Sequence, residues 1–371
     1  MPLLFLVGLL VSLTTIFFIY QRKSYPQIAP LKSLTGPESQ YEFVSSTELR
    51  QVLEHPETMQ KVGECFLENK VKSIYLVHGT FVGEDPFHVA SIIERSFPKL
   101  RPELVESIRK RIKKGQDLLA KDIGNFVPEH IEYLSKFISS NVYNFSWSSG
   151  NHHYARVEGC IRLIEDLTQK HGKGDRVLLI GHSHAGQIFA VLTQLLFNPE
   201  FRDYVQLLFP ATKLLENLAV IQNMKLDIVT LGTPARYPWF LSDNMQLLHI
   251  INHRGTDLFG GGYRDSIFTG KGDYIQQWGV SGSDMNPAQV EIKQINKKLE
   301  RFLGAGSNLN ILRRKIAMKR RLHTDGMHLL VDYDDAGKLP NFVLTIFGHG
   351  SYTRLKFLPF LLNSICKKIY H

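Results

Sequence analysis

Cysteine is scarce in this chain: Cys65, Cys160 and Cys366 are its three, set far apart. That spacing suits neither a disulfide framework nor a zinc site, and it points to free thiols in a reducing compartment. Charge is missing from Pro2 to Tyr20, and no Lys or Arg precedes that run. A secretory signal needs a basic start, a shorter apolar core and small residues before the cleavage point, and none is evident. Internal repeats, low-complexity tracts and nucleic-acid motifs are absent too, as is any ladder of aromatics among basic residues. The excess of 44 Lys and Arg over 35 Asp and Glu is therefore read as attraction to an anionic membrane surface, not to nucleic acid.

The uncharged N-terminal run is just long enough for a membrane helix, which needs roughly 20 apolar residues. Residues 1–20 are therefore expected to be an uncleaved transmembrane anchor. Arg22 and Lys23 follow at once, which puts the C-terminal body on the cytoplasmic side. Residues 21–70, with Pro26, Pro30 and Pro37 early on, read as a linker and a lead-in segment.

From Ser73 apolar strands alternate with helical stretches. Strands are expected at Ser73–Val77, Val142–Trp147, Val177–Ile180, Leu226–Leu231, Leu247–Ile251 and Phe342–Phe347, and helices at Tyr154–Lys170, Gln187–Phe197 and Thr353–Lys367. The pattern predicts an α/β domain over 71–371 with a mainly parallel central sheet and helices on both faces. Two helical insertions interrupt it, at about 82–140 and 260–335, and either could serve as a lid. The first has helical character over Leu104–Lys114 and Ile131–Phe137. In the second, Asn286-Pro287 makes a helix start, followed by an apolar stripe of Ile292, Ile295, Leu299, Phe302 and Leu303. A basic tract with Arg313, Arg314, Lys315, Lys319, Arg320 and Arg321 follows, either a solvated face or a surface lying on anionic headgroups.

The most informative segment is Gly181-His182-Ser183-His184-Ala185-Gly186, directly after the apolar run Arg176–Ile180 and directly before a run of small and apolar residues. This is the arrangement of a nucleophile elbow, a strained strand-to-helix turn that lifts a serine hydroxyl above a parallel sheet. The hexapeptide alone also fits an ordinary turn with a solvent-facing serine. Earlier, Ile74-Tyr75-Leu76-Val77 leads into His78-Gly79-Thr80-Phe81. Acyl hydrolysis needs two aimed N–H groups for the developing oxyanion. His184, after the nucleophile, supplies one, and Thr80, with Phe81 second, supplies the other.

Together, the strand ending in His78-Gly79, the elbow at Gly181–Gly186 and the strand Asp227–Leu231 running into Gly232-Thr233-Pro234 resemble the α/β-hydrolase superfamily, in particular its lipase and esterase branch. The end of the strand at Phe145-Ser146-Trp147-Ser148 fits the same pattern. Ala185 stands where the pattern has glycine, a mild departure of one methyl. The resemblance implies the chain order serine, acid, histidine, with acid and base on loops after later strands. Asp257, beyond the strand Leu247–Ile251, is the expected acid. Asp265 lies farther into a glycine-rich loop, and Asp227 begins its strand instead of ending it. His349, in Gly348-His349-Gly350 between the last strand and the last helix, is the expected base, ahead of His328, His323 and His253. His182 and His184 need do no proton chemistry, and His182-x-His184 lacks the further ligands of a metal site.

The resulting expectation is a serine hydrolase that cleaves carboxylic esters, lipid or acyl esters in particular, through Ser183, Asp257 and His349. No cofactor or metal is called for. An acyltransferase with the same triad, and a catalytically inactive membrane-tethered binding protein on the same fold, are the alternatives.

Overall fold

The computed structural model describes residues 41–80, 121–253, 272–279, 289–304, 322–337 and 347–370, with positions 282, 284, 285 and 287. Seven parallel strands form one sheet in the order β1-β7-β6-β5-β4-β2-β3. They are β1 (Tyr41–Val44), β2 (Val71–Val77), β3 (Asn141–Phe145), β4 (Arg176–His182), β5 (Lys225–Leu231), β6 (Met245–Asn252) and β7 (Met327–Val331). The helices are α1 (Ser46–Glu54), α2 (Thr58–Glu68), α3 (Pro128–Ser135), α4 (His153–Lys170), α5 (Ala185–Phe197), α6 (Pro199–Leu208), α7 (Leu214–Ile221), α8 (Tyr274–Gly279), α9 (Val290–Leu303) and α10 (Leu358–Ile365).

The central strands are apolar on both faces because both faces are covered. On β4, Val177 and Leu179 join one core with residues of α4, α5, α6, α7 and α9. Leu178 and Ile180 point the other way, into a second core with residues of α1, α2, α3 and α10. This two-sided burial holds β4 rigidly between β2 and β5, so whatever its C-terminal end carries is precisely presented. Local signals set the helix starts. The His152 side chain accepts the Ala155 N–H at the start of α4, and Asn198 does the same for Phe201 ahead of Pro199. The helix expected to begin at Asn286-Pro287 starts later, at Val290.

Three expectations are corrected. The lead-in segment is part of the sheet: β1 pairs with β7, and α1, opened by a Ser45–Glu48 capping box, packs with α2 on the core. Next, β7 falls inside the stretch read as an insertion over 260–335; a five-residue strand carrying His328 gives little alternation to see. Finally, Cys65 and Cys366 are bonded to each other, Cα atoms 6.3 Å apart, while Cys160 is a buried free thiol. The pair is 301 residues apart in sequence, so only the packing of α2 against the C-terminal helix could reveal it.

Among the described residues no helix is long and apolar enough to cross a membrane. The run 1–20 read as an anchor lies outside them. So do Phe81, Asp257, Asp265, the helix expected over Leu104–Lys114, the basic tract over 313–321, and the strand expected over Phe342–Phe347 apart from Phe347, which sits in a turn.

The cysteine pairing gives a direct test. Peptide mapping without reductant is expected to recover a Cys65–Cys366 crosslink, with Cys160 alone alkylating after denaturation. Cys65→Ser is expected to lower stability by about 2–5 kcal/mol, and an unchanged melting transition in that variant would refute the crosslink.

Candidate active site

The turn after β4 is held in a conformation that side chains other than glycine seldom adopt. Ser183 has φ of 55°, and such a position costs of order 1–3 kcal/mol unless its surroundings impose it. Here they do. Ser183 N–H donates to the Leu231 carbonyl at 2.8 Å, and the Thr233 hydroxyl donates to the Ser183 carbonyl at 2.7 Å. Gly186 N–H closes the turn on the same carbonyl at 3.2 Å. Ala185 is fully buried, and its Cβ would lie 3.0 Å from a Cβ built on Gly181. The methyl that departs from the Gly-x-Ser-x-Gly pattern therefore fills room left by a glycine on the strand.

The Ser183 Oγ and His349 Nε2 are 2.8 Å apart. On the far side of the ring, His349 Nδ1 and Asp273 Oδ2 are also 2.8 Å apart. With the serine hydroxyl donating to Nε2 and Nδ1–H donating to the carboxylate, serine, histidine and aspartate form one hydrogen-bonded chain. This carboxylate is not the expected one: Asp273 occupies the position for which the sequence pointed to Asp257.

Why Asp273 sits there follows from its own bonds. Its N–H donates to the Asn252 carbonyl at 2.9 Å, which returns the chain to the C-terminal end of β6. Its Oδ1 accepts the Gln276 N–H at 2.8 Å, capping α8, and its Oδ2 also accepts the Tyr352 hydroxyl at 2.7 Å. Full burial would raise its pKa, but His349, the Gln276 N–H and the Tyr352 hydroxyl outweigh burial and hold it below the usual carboxylate range. An aspartate opening a short helix was the available sequence signal.

His349 is positioned by its backbone. Phe347 and Gly348 both have positive φ, 54° and 83°. The Gly348 carbonyl accepts from Asn252 Nδ2 at 3.0 Å, and the Phe347 carbonyl accepts from Tyr274 N–H at 3.2 Å. His182, next to the nucleophile, donates from Nε2 to the His349 carbonyl at 2.8 Å. Its pKa is pushed down to about 3 by burial and by the neighbouring His349, so it serves as a neutral donor and not as a base.

The expected oxyanion loop lies against Ser183. A Cβ on Gly79 would sit 2.7 Å from Ser183 Cβ, so only glycine lets this backbone approach. The loop is braced from behind: the Ser149 hydroxyl donates to the Gly79 carbonyl at 2.9 Å, and Trp147 Nε1 donates to the His78 carbonyl at 2.8 Å. The side chains of Thr80 and His184 are hydrogen-bonded through Oγ1 and Nδ1, which ties the two expected oxyanion residues together. Burial, and then the nearby Arg156 and Arg236, push the His184 imidazole well below the ordinary histidine range. Those arginines share the buried Asp284, Arg156 through both carboxylate oxygens at 3.1 and 2.9 Å and Arg236 at 2.9 Å.

The other candidates lie elsewhere. Asp227 is bonded to Arg176 and Tyr370, toward the opposite end of the strands. His253 is buried against Phe43, and His323 and His328 belong to a separate histidine stack. Among the described residues no group of three His, Cys, Asp or Glu is arranged to hold a metal ion. No family model, curated protein or solved structure matches this chain.

The choice of acid is tested by two variants. Asp273→Asn is expected to slow fluorophosphonate labelling of Ser183 about 10³–10⁴-fold, while Asp257→Asn stays within about threefold of wild type. The reverse pattern would refute the assignment.

Proposed function

We propose that this protein is a serine hydrolase of the α/β-hydrolase superfamily that cleaves carboxylic esters, with lipid or long-chain acyl esters as the substrate class. The observation that carries the reading is the hydrogen-bonded chain Ser183–His349–Asp273 at the end of a central parallel strand. A serine, an acid and a histidine in that chain order, on loops after parallel strands, is what such enzymes use.

In this mechanism His349 Nε2 takes the Ser183 proton as Oγ attacks the ester carbonyl carbon. The carbonyl π pair moves onto oxygen, and the N–H groups of Thr80 and His184 receive that oxyanion. One such donor typically contributes about 3–4 kcal/mol to the transition state. Collapse breaks the bond to the alcohol oxygen, which leaves with the proton from Nε2. Water, deprotonated by the same nitrogen, then attacks the acyl-serine, releasing the carboxylic acid and returning the proton to Ser183. Asp273 keeps Nδ1–H pointed at itself and stabilises the imidazolium that forms twice per cycle.

The substrate class rests on the sequence. The apolar run at residues 1–20 would tether the enzyme to a membrane, and the basic residues Arg313–Arg321 would favour an anionic surface. An acyltransferase would use the same groups and pass the acyl unit to an alcohol in place of water.

Ser183→Ala is expected to abolish hydrolysis of p-nitrophenyl acyl esters and fluorophosphonate labelling, with the melting temperature essentially retained, because the lost hydroxyl carries chemistry and little packing. Ester hydrolysis retained by a pure Ser183→Ala sample would sink the proposal. A substrate series of increasing acyl length, with and without an alcohol acceptor, then reads substrate class and separates hydrolysis from transfer.

A further inference from the structure

Three imidazoles that take no part in this chemistry are stacked beside the chain that holds Ser183. His249 on β6 lies face to face with His323, centroids 3.9 Å apart and planes at 7°, and its ring is 4.7 Å from His328 on β7. All three are buried. Their hydrogen bonds fix their protonation. Trp239 Nε1–H donates to His323 Nδ1 at 3.2 Å, so that nitrogen carries no proton. The His323 Nε2–H then donates to the Thr233 carbonyl at 3.1 Å. The His323 backbone N–H donates to His328 Nε2 at 3.1 Å, so that nitrogen is bare as well. His323 and His328 each use one ring nitrogen as an acceptor, and a second proton on either ring would destroy that bond.

The stack leads directly to the nucleophile. Thr233, whose carbonyl His323 holds, is the residue whose hydroxyl holds the Ser183 carbonyl at 2.7 Å. We propose that His323 is a positioning residue for Ser183, acting through Thr233, and that the three-histidine stack makes the nucleophile turn acid-sensitive. The proposal rests on the reading of Ser183 as the nucleophile.

The groups facing the stack offer a proton little compensation beyond the Asp325 backbone, which favours a protonated His249 and is outweighed by burial. β5 presents the Thr230 hydroxyl, 2.6 Å from His249 Nδ1, and the segment after β5 presents the Thr233 carbonyl and the Trp239 indole. The segment before β7 turns the Asp325 backbone toward His249, while the Asp325 carboxylate accepts the Thr324 hydroxyl at 2.6 Å. β1 pairs with β7 at Tyr41 and His328, and the Tyr41 ring packs on Phe43. Burial, then His323 and His328, push His249 well below the ordinary histidine range. An unfolded chain would protonate these rings near about pH 6.5. The contribution of neutral His249 is therefore whole above that pH and is lost as the pH falls below it.

The test is the rate of fluorophosphonate labelling of Ser183 in the full chain as a function of pH, over the range where far-UV circular dichroism is unchanged. Protonation of the catalytic base alone gives a slope of one in log rate against pH. Wild type is expected to fall more steeply, because the stack takes up protons as well. His323→Gln keeps an N–H for Thr233 and an oxygen for the Trp239 indole. It is expected to label within about threefold of wild type near pH 7.5 and to show the shallower slope. His323→Leu, with no donor, is expected to be slowed about tenfold at that pH while still folded. Equal slopes in wild type and His323→Gln, or an undiminished rate in His323→Leu, would overturn the proposal. Absence of labelling in wild type at every pH would instead sink the reading of Ser183. The stack is then read from the fluorescence difference between the full chain and Trp239→Phe: a cooperative change below about pH 6.5 supports its acid opening, and a flat signal overturns it.

Discussion

The site depends on one constrained residue, Ser183, whose backbone occupies the left-handed region with φ of 55°. A strand cannot turn into a helix within so few residues without such a step, and the step aims the side chain away from the sheet. The cost is met by neighbours that are themselves immobile. Leu231 ends a strand paired with β4 along its whole length, and Thr233 follows it on the same chain. The Ser183 hydroxyl is therefore positioned by the pairing of β4 with β5, which a fully buried sheet interior makes stiff. The same constraint explains the glycine at position 79, whose absent side chain lets the loop after β2 approach the serine.

The remaining groups reach Ser183 from distant parts of the sequence, and each arrives by a specific backbone bond. Asn252, at the end of β6, accepts from the Asp273 N–H, donates its side-chain amide to Gly348, and donates its own N–H to the Tyr352 hydroxyl at 2.9 Å. One strand end thus fixes Asp273, the loop that bears His349 and the tyrosine bonded to Asp273. His182 ties the His349 backbone from the Ser183 side. These bonds converge in a buried setting, where the Asp273 carboxylate is paired and the neutral His182 ring donates to the His349 carbonyl.

Much of this was legible in the sequence, and the reasons for the gaps are physical. The elbow was readable because its context is local: an apolar strand, a turn and a helix in unbroken succession. His349 stood out among fifteen histidines because glycines flank it just before the terminal helix. The acid was harder. The sequence indicates a carboxylate after β6, and the one bonded to His349 is Asp273, while Asp257 and Asp265 lie outside the described residues. β1 and β7 went unread because both are short: β1 is four half-exposed edge residues, and β7 is five residues with no alternation. The Cys65–Cys366 bond depends on packing between the two ends of the described chain, which no local pattern encodes.

The measurement that bears most directly on the central claim is a crystal structure of the protein after reaction with a fluorophosphonate. The phosphonyl group then stands in for the tetrahedral intermediate. Phosphorus is expected to be bonded to Ser183 Oγ, with the phosphonyl oxygen about 2.7–3.1 Å from the N–H groups of Thr80 and His184. His349 Nε2 should face the bridging oxygen, and Asp273 should remain on Nδ1. Phosphorus bonded to another residue, or a phosphonyl oxygen turned away from both N–H groups, would contradict it.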